Sequence, residues 1–388
     1  MRVLFITKQQ YMGKDLLADR FGRFYEIPRV LGQLRHDVHG VCLRYWPGKI
    51  GAMTSNSHDS VKWKSFSLGR DLPLGFVRHY VRLVKIARGI KPDIVVGASD
   101  CFHIIMAARL GTKLSVPYVV DLYDNFEAYR ATQIPGLRYW YRSAVSKAAA
   151  VSVVSDPLLA KIQAEYRPAG IVRTVTNAVA PEFFHPGDKS TARRNLGLPG
   201  NGILIGSAGA LTRRRDIAKL YRAFERVKNV DPRVCLVLAG PTDRSMTARI
   251  RGTAIYLGDL PHERVGDLFR ALDVGIVCNR DDPFGRYCFP QKLFEMLACK
   301  LPVVAADVGA IHDLLRGSRT CLYHPTNEDS LVDAILSQLG AVCLPALAIP
   351  TWRDRGLEFG ALLEEAILAS AKLWSGIKAA KLTVQRCE

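Results

Sequence analysis

Short apolar runs alternate with amphipathic stretches along almost the whole chain, and their lengths predict alternating strands and helices. Arg2 to Thr7 reads as a first strand. A loop from Lys8 to Asp19 holds Gly13 and Lys14. A helix follows from about Phe21 to Leu34, and a second strand covers 36–43. Strand, glycine loop, helix, strand is the opening of a Rossmann-like unit. Residues 47–72 are polar, rich in Gly and Ser, and show no clear period. Leu74 to Ala87 is an amphipathic helix with Arg78, Arg82 and Lys85 on one face. Val77, Tyr80, Val81 and Val84 fall on others, so the expectation is a packed helix with a solvated basic side.

Further strands are expected over 91–96, 115–124, 148–154 and 172–176. Ser155-Asp156-Pro157 is a helix start between the last two. A second series then begins. Strands Ile203–Ala208, Cys235–Ala239, Ala254–Leu257 and Val274–Val277 are separated by a helix at about 217–227 and by glycine-bearing turns. After a loop from Phe284, a helix opens at Pro290, expected at the first helical position, where its missing N–H costs nothing. Val303–Ala305 and Cys321–Tyr323 continue the series, and helices are expected near 328–338 and over about 359–382. Two parallel-sheet α/β domains follow.

Composition narrows the partners. The 388 residues suffice for two cores, and 48% hydrophobic content is ordinary for a globular protein. Nine scattered cysteines form no Cys-x-x-Cys pair and have no histidine cluster beside them, so no metal centre is expected. Free thiols suit a reducing cytoplasm. The amino terminus reads as a strand rather than a leader, and no apolar run approaches the ~20 residues of a membrane span. The net charge of +18 is uneven: residues 1–178 hold 26 Lys and Arg against 13 Asp and Glu, the remainder 28 against 23. Such an excess suits an anionic partner of the first domain, with peripheral attachment to the inner membrane face as one form of it. No nucleic-acid-binding signature accompanies the charge.

Candidate chemistry centres on Phe284 to Ala306. A helix amino terminus at Pro290 is a seat for phosphate. Glu295, about one and a half turns in, can accept two hydrogen bonds from a vicinal diol such as a ribose. Pro290-Gln291-Lys292-Leu293-Phe294-Glu295, continued by Met296 to Ala305, resembles the retaining family 4 glycosyltransferases of the GT-B fold. It matches their branch with Pro-x-Lys-Leu-Phe-Glu, and Tyr287 stands where other members carry a first Glu. The resemblance implies two Rossmann-like domains facing across a cleft, 1–177 and 178–358 with the crossover at Asn177-Ala178-Val179, and a last helix, about 359–382, that returns to the first domain. It also implies transfer of sugar from a UDP- or GDP-linked nucleotide-diphospho-sugar, a substrate rather than a cofactor, with retention and without a metal. The acceptor hydroxyl would belong to a glycan or lipid-linked molecule of cell-surface polysaccharide or glycolipid synthesis.

Residue roles follow from the same resemblance. Gly209 matches the glycine of a donor loop whose arginine is here Ala210 and whose lysine is Arg215. Arg213 and Arg214 stand beside it. Arg215 and Lys292 would neutralise the leaving diphosphate, and Glu295 would hold the ribose. Gly13, Gly285, Pro290 and Tyr287 would border the donor, and the turn at Gly258 would meet the base. Asp124 and Glu127 lie in a segment where relatives carry a histidine and are candidates for acceptor contact or proton acceptance. A non-catalytic scaffold and a nucleotide-sugar epimerase of the same fold are the alternatives.

Overall fold

The structure is a computed structural model that describes residues 1–11, 13–45, 60–69, 72–212, 216–242 and 252–384. The chain forms two compact units. The first joins Met1–Asn177 to the carboxyl-terminal segment from Trp352, and the second is Ala178–Thr351.

Seven parallel strands make the sheet of the first unit: β1 (Arg2–Lys8), β4 (Asp37–Arg44), β5 (Val61–Ser67), β6 (Ile94–Ala98), β7 (Tyr118–Leu122), β8 (Ala150–Val153) and β9 (Ile171–Thr174). Their spatial order is β5-β4-β1-β6-β7-β8-β9. The order reverses beside β1, so the crevice outside the carboxyl ends of β1 and β6 is a natural ligand position. Strand β5 lies within the stretch that shows no period in the sequence. Val61 and Trp63 are buried and Lys62 exposed, a period-2 pattern that lysines and serines dilute.

Between β1 and the helix α1 (Arg23–Gln33), a small antiparallel ribbon intervenes, β2 (Gln10–Tyr11) with β3 (Lys14–Asp15). Gly13 has φ 81 at its turn and a clear space where a side chain would stand. It serves a hairpin, so the strand–glycine loop–helix expected here is a strand–ribbon–helix.

Helices α2 (Leu72–Ile90), α3 (Cys101–Leu114) and α4 (Leu137–Ser146) carry the chain from β5 to β6, β7 and β8, followed by α5 (Asp156–Tyr166). All three crossovers run the same way across the sheet. Right-handed connection therefore places them on one face, opposite α1, whose crossover runs the other way. On the face of α2 that carries Arg78, Arg82 and Lys85, Val77 and Val81 are exposed as well, whereas Val84 is buried. The basic side is thus also an apolar one.

A buried ion pair fastens the far half of this sheet. Arg23, at the start of α1, has no exposed surface, and its Nη2 lies 2.7 Å from Asp121 Oδ1. It also donates to the Ser152 hydroxyl and to the Val175 and Thr176 carbonyls. With this many partners a buried guanidinium is tolerated.

The second unit opens with α6 (Lys189–Asn195). Its six parallel strands are β10 (Ile203–Ala208), β11 (Val234–Ala239), β12 (Ile255–Tyr256), β13 (Val274–Val277), β14 (Val303–Ala306) and β15 (Leu322–Tyr323), in the order β12-β11-β10-β13-β14-β15. Here the order reverses between β10 and β13. Described helices of this unit are α7 (Ile217–Val230), α8 (His262–Ala271), α9 (Gln291–Ala298), α10 (Ala310–Leu315) and α11 (Glu328–Gly340). Val179 and Thr351, the entry and exit of the unit, form a parallel bridge. The last helix, α12 (Trp352–Val384), starts at Trp352 rather than near Phe359 and belongs wholly to the first unit. Phe359 stacks on Phe5 of β1, ring centroids 6.0 Å apart, and a side chain at Gly356 would strike Val30 of α1.

Candidate active site

At the carboxyl edge of the second sheet, three glycines stand side by side. The Gly209 N–H donates to Ala239 O, and the Gly240 N–H to Gly258 O at 2.7 Å. A Cβ on Gly240 would lie 2.2 Å from the Gly209 carbonyl oxygen. Gly209, Gly240 and Gly258 follow β10, β11 and β12 with positive φ, and at Gly240 no larger residue fits beside the Gly209 carbonyl. The Tyr256 hydroxyl donates to Gly240 O and holds the row.

Lys292 lies over this row. A Cβ on Gly209, whose φ is 110, would stand 2.3 Å from Lys292 Cε and 2.5 Å from its Nζ. The second position of α9 therefore delivers an ammonium to the end of β10, at the reversal of strand order. Pro290 is the N-cap of α9 rather than its first helical residue, with φ −78 and ψ 96. Having no side chain that could cap the helix, it leaves the positive end of the dipole toward Lys292.

Glu295 is buried one turn further on. One carboxylate oxygen accepts from Gln291 Nε2 at 2.9 Å. Burial raises its pKa above the ordinary carboxylate value, while Lys292 and the Gln291 hydrogen bond pull it back. A buried carboxylate held beside a cation and a helix amino terminus is a group prepared to accept hydrogen bonds from hydroxyls.

The loop from 280 to 290 is shaped by its own backbone. Asp282 Oδ1 accepts the N–H groups of Phe284 and Gly285, and buried Asn279 donates to the Gly285 carbonyl at 3.1 Å. A Cβ on Gly285 would lie 1.8 Å from the Arg280 carbonyl oxygen. The close approach that requires this glycine within the chain is to the Arg280 carbonyl. Tyr287 is half-buried in the same turn. Asp281 and Asp282 diverge, the first pairing with Arg286 at 2.5 Å. Arg215, with Arg213 and Arg214, lies outside the described residues; its neighbour Asp216 pairs with Lys219 at 2.8 Å. Among the described residues no three metal-ligating side chains cluster.

The carboxyl edge of the first sheet carries a separate polar group. Asp124 is buried after β7; its oxygens accept from the Asn125 N–H at 2.7 Å and the Tyr129 hydroxyl at 2.6 Å. Lys8, at the end of β1, has its pKa lowered by burial and pulled up by Asp100 and Asp124. Asp100 caps α3, accepting from the Phe102 and His103 N–H groups, and takes further hydrogen bonds from the His103 ring and the Tyr45 hydroxyl. Against the burial that opposes its charge, His103, Lys8 and Tyr45 hold Asp100 down at about 2.

Glu127 is not part of this group. Arg142 grips it at 2.6 and 2.9 Å and Arg138 at 3.1 Å on each oxygen. Burial works against its charge, and those two arginines hold its pKa down to about 2. A carboxylate so engaged neither takes a proton near neutrality nor opens to an acceptor. The sequence reading passed over Lys8, Asp100, Asn279 and Gln291. Lys8 ends β1, and Asp100 and Asn279 lie two residues beyond β6 and β13, all at the two reversals of strand order, and that position is the signal that marks them.

Comparison with known proteins follows the same division. Residues 23–178 match the model of a glycosyl transferase 4-like domain, and residues 202–340 that of glycosyl transferases group 1. A D-inositol 3-phosphate glycosyltransferase of Stackebrandtia nassauensis is 32% identical over 149 residues, 34% of this chain and 32% of that protein. The putative teichuronic acid biosynthesis glycosyltransferase TuaC of Bacillus subtilis is 26% identical over 233 residues, 59% of this chain and 57% of that protein. The chain thus spans from about a third to somewhat over half the length of these relatives. Among solved structures, sucrose-phosphate synthase of Thermosynechococcus elongatus superposes with a TM-score of 0.70 at 16% identity, covering 98% of this chain and 99% of that one. HepE of Anabaena gives 0.69 at 16%, covering 97% and 100%. With one glycosyltransferase domain on each of its two parallel sheets, the chain belongs to the glycosyltransferases of the GT-B fold.

Proposed function

We propose that the protein transfers a glycosyl unit from a UDP- or GDP-linked sugar to an acceptor hydroxyl with retention of configuration. The observation that carries this is the Lys292 ammonium laid over Gly209, with buried Glu295 one turn behind it. A diphosphate seated on the glycine row meets that ammonium and the amino end of α9, and Arg215, six residues after Gly209 in the sequence, is the second cation proposed for it. Charge grows on the diphosphate as the sugar–oxygen bond breaks, so cations fixed there act on the transition state. Glu295 accepts the ribose hydroxyls. The departing phosphate takes the acceptor proton, which requires no protein nucleophile. Pro290, Tyr287 and Gly258 border the donor, and Asp124, in the first unit, is the residue proposed to contact the acceptor. The sugar nucleotide is a substrate, and the proposed reaction calls for no further cofactor.

HepE of Anabaena is described in complex with UDP and with UDP-glucose, which favours UDP as the first nucleotide to try. The proposed acceptor is a glycan or lipid-linked molecule of cell-surface synthesis, met at the cytoplasmic face of the membrane. Calorimetric titration of the full chain with UDP and GDP, followed by turnover of a panel of nucleotide-sugars, tests the reading. Failure of both nucleotides to bind at millimolar concentration overturns it. Tyr287 and Ala210, in place of an expected acid and an expected arginine, favour a second reading, a non-catalytic protein of the same fold. Turnover of any nucleotide-sugar removes that alternative.

A further inference from the structure

Helices α2, α3 and α4 share one face of the first sheet and contain eight Lys and Arg but no Asp or Glu. On α2 the outward stripe is Leu74, Val77, Arg78, Val81, Arg82 and Lys85. Leu74 is 63% exposed, Val77 60% and Val81 62%. On α4, Tyr139 is 70% exposed and Trp140 51%. The helices are joined into one surface: Phe76 of α2 stacks on Phe102 of α3 at 4.7 Å, and Arg109 of α3 covers the Trp140 ring at 5.4 Å. Arg138 and Arg142 are engaged by Glu127; the basic residues of α2 and α3 supply the rest of the charge.

We infer that this three-helix face docks on an anionic lipid bilayer, with Leu74, Val77, Val81, Tyr139 and Trp140 entering the headgroup boundary and the α2 arginines and lysine meeting lipid phosphates. This deepens the reading of a membrane-side acceptor and names the surface that would meet it. A soluble anionic glycan would satisfy the charge and leave the aliphatic stripe in water. A second copy of the chain would cover the stripe and set Arg78, Arg82 and Lys85 against themselves. An anionic bilayer answers both needs, since interfacial binding draws on apolar burial and on attraction between basic residues and acidic headgroups. Indole and phenol rings prefer the headgroup level.

Flotation of the full-length protein with vesicles tests this, comparing phosphatidylcholine alone with phosphatidylcholine containing phosphatidylglycerol. Binding is expected only to the second and is expected to fall steeply at about 0.5 M salt. Changing Arg78, Arg82 and Lys85 together to Ser lowers partitioning about a hundredfold. Leu74, Val77 and Val81 changed together to Ser lower it at least tenfold, and their exposure leaves folding intact, as circular dichroism verifies. The vesicle-induced blue shift of tryptophan emission disappears in Trp140→Phe. Equal binding by the apolar variant, unshifted Trp140 emission, or retention by dextran sulfate without vesicle binding overturns the proposal. So does a dimer in sedimentation that the apolar variant dissolves. UDP titration in the same preparations separates the two readings: a wild type that floats without binding UDP loses the donor site and keeps this surface, and the reverse result loses only the surface.

Discussion

Gly209→Ala tests the geometry of the donor site most directly. The new methyl would stand 2.3 Å from Lys292 Cε, so the lysine must retreat by about 1 Å to reach ordinary contact. It would also sit at φ 110, a conformation that costs a non-glycine residue about 1–3 kcal/mol. For a domain the size of the second unit, each kcal/mol lowers Tm by about 2–4 °C, so a fall of roughly 2–12 °C is expected. A displaced ammonium forfeits a charge-assisted hydrogen bond worth about 1.5–3 kcal/mol. UDP or GDP affinity should therefore drop about ten- to a hundredfold. The cycle with Lys292→Ala decides the cause. Once the lysine is shortened, Gly209→Ala should cost only backbone strain and weaken the nucleotide no further. Calorimetry gives the affinities and thermal unfolding the stabilities of all four proteins. Additive losses of affinity, or a Gly209→Ala protein that binds within twofold of wild type, would refute the role of this contact.

Glu295→Gln should weaken nucleotide binding about ten- to a hundredfold while the unliganded protein melts no lower than wild type. Its folded pKa is raised, so the stability it contributes is full below the ordinary carboxylate range and is lost as pH rises through the folded value. A variant that loses stability at neutral pH, or keeps full affinity, contradicts this. Glu127 runs the other way: with its pKa held at about 2 against an ordinary 4.5, it stabilises above pH 4.5 and loses that contribution toward pH 2. Glu127→Gln should thus lower Tm at pH 7, leave nucleotide affinity unchanged, and converge with wild type in acid; unaltered Tm at pH 7 counts against the ion-pair account. Asp121→Ala strands the buried Arg23 guanidinium and should cost about 3–5 kcal/mol in urea unfolding, with less than 1 kcal/mol being a refutation.

Element type was legible wherever pattern and burial coincide. The strands β1, β6 and β10 are unbroken apolar runs because both their faces are covered. Strand β5 escaped because an edge strand buries alternate residues only, and its lysines and serines mask the period. The α2 helix was legible as a helix but not as a surface: Val77 and Val81 read as core by type, and only the packing of the neighbouring helices leaves them outside. In the candidate site, Glu295 and Lys292 lie on the helix that their motif predicts, yet what brings Lys292 to Gly209 is a contact across more than eighty residues that no local pattern encodes. Gly285 is legible by type as a point of close approach, and the structure supplies one partner for it, the Arg280 carbonyl. Glu127 was chosen for its charge, and the arginines that neutralise it come from α4, beyond any local window.

The returning helix α12 has a consequence for biosynthesis. The second unit is one unbroken segment, bridged at its ends by Val179 and Thr351, so everything it needs is present once that segment has been made. The first unit is begun first and finished last. Its Phe5, Val30 and Leu31 await Phe359, Gly356 and Gly360, which emerge only after the whole second unit has been made. Until then an apolar flank of the first sheet stands open on the ribosome while the second unit is already able to fold, the kind of interval in which nascent chains recruit chaperones or aggregate. A premature stop ahead of Trp352 would accordingly spare the second unit and leave the first, the earlier to be synthesised, without the helix that closes it.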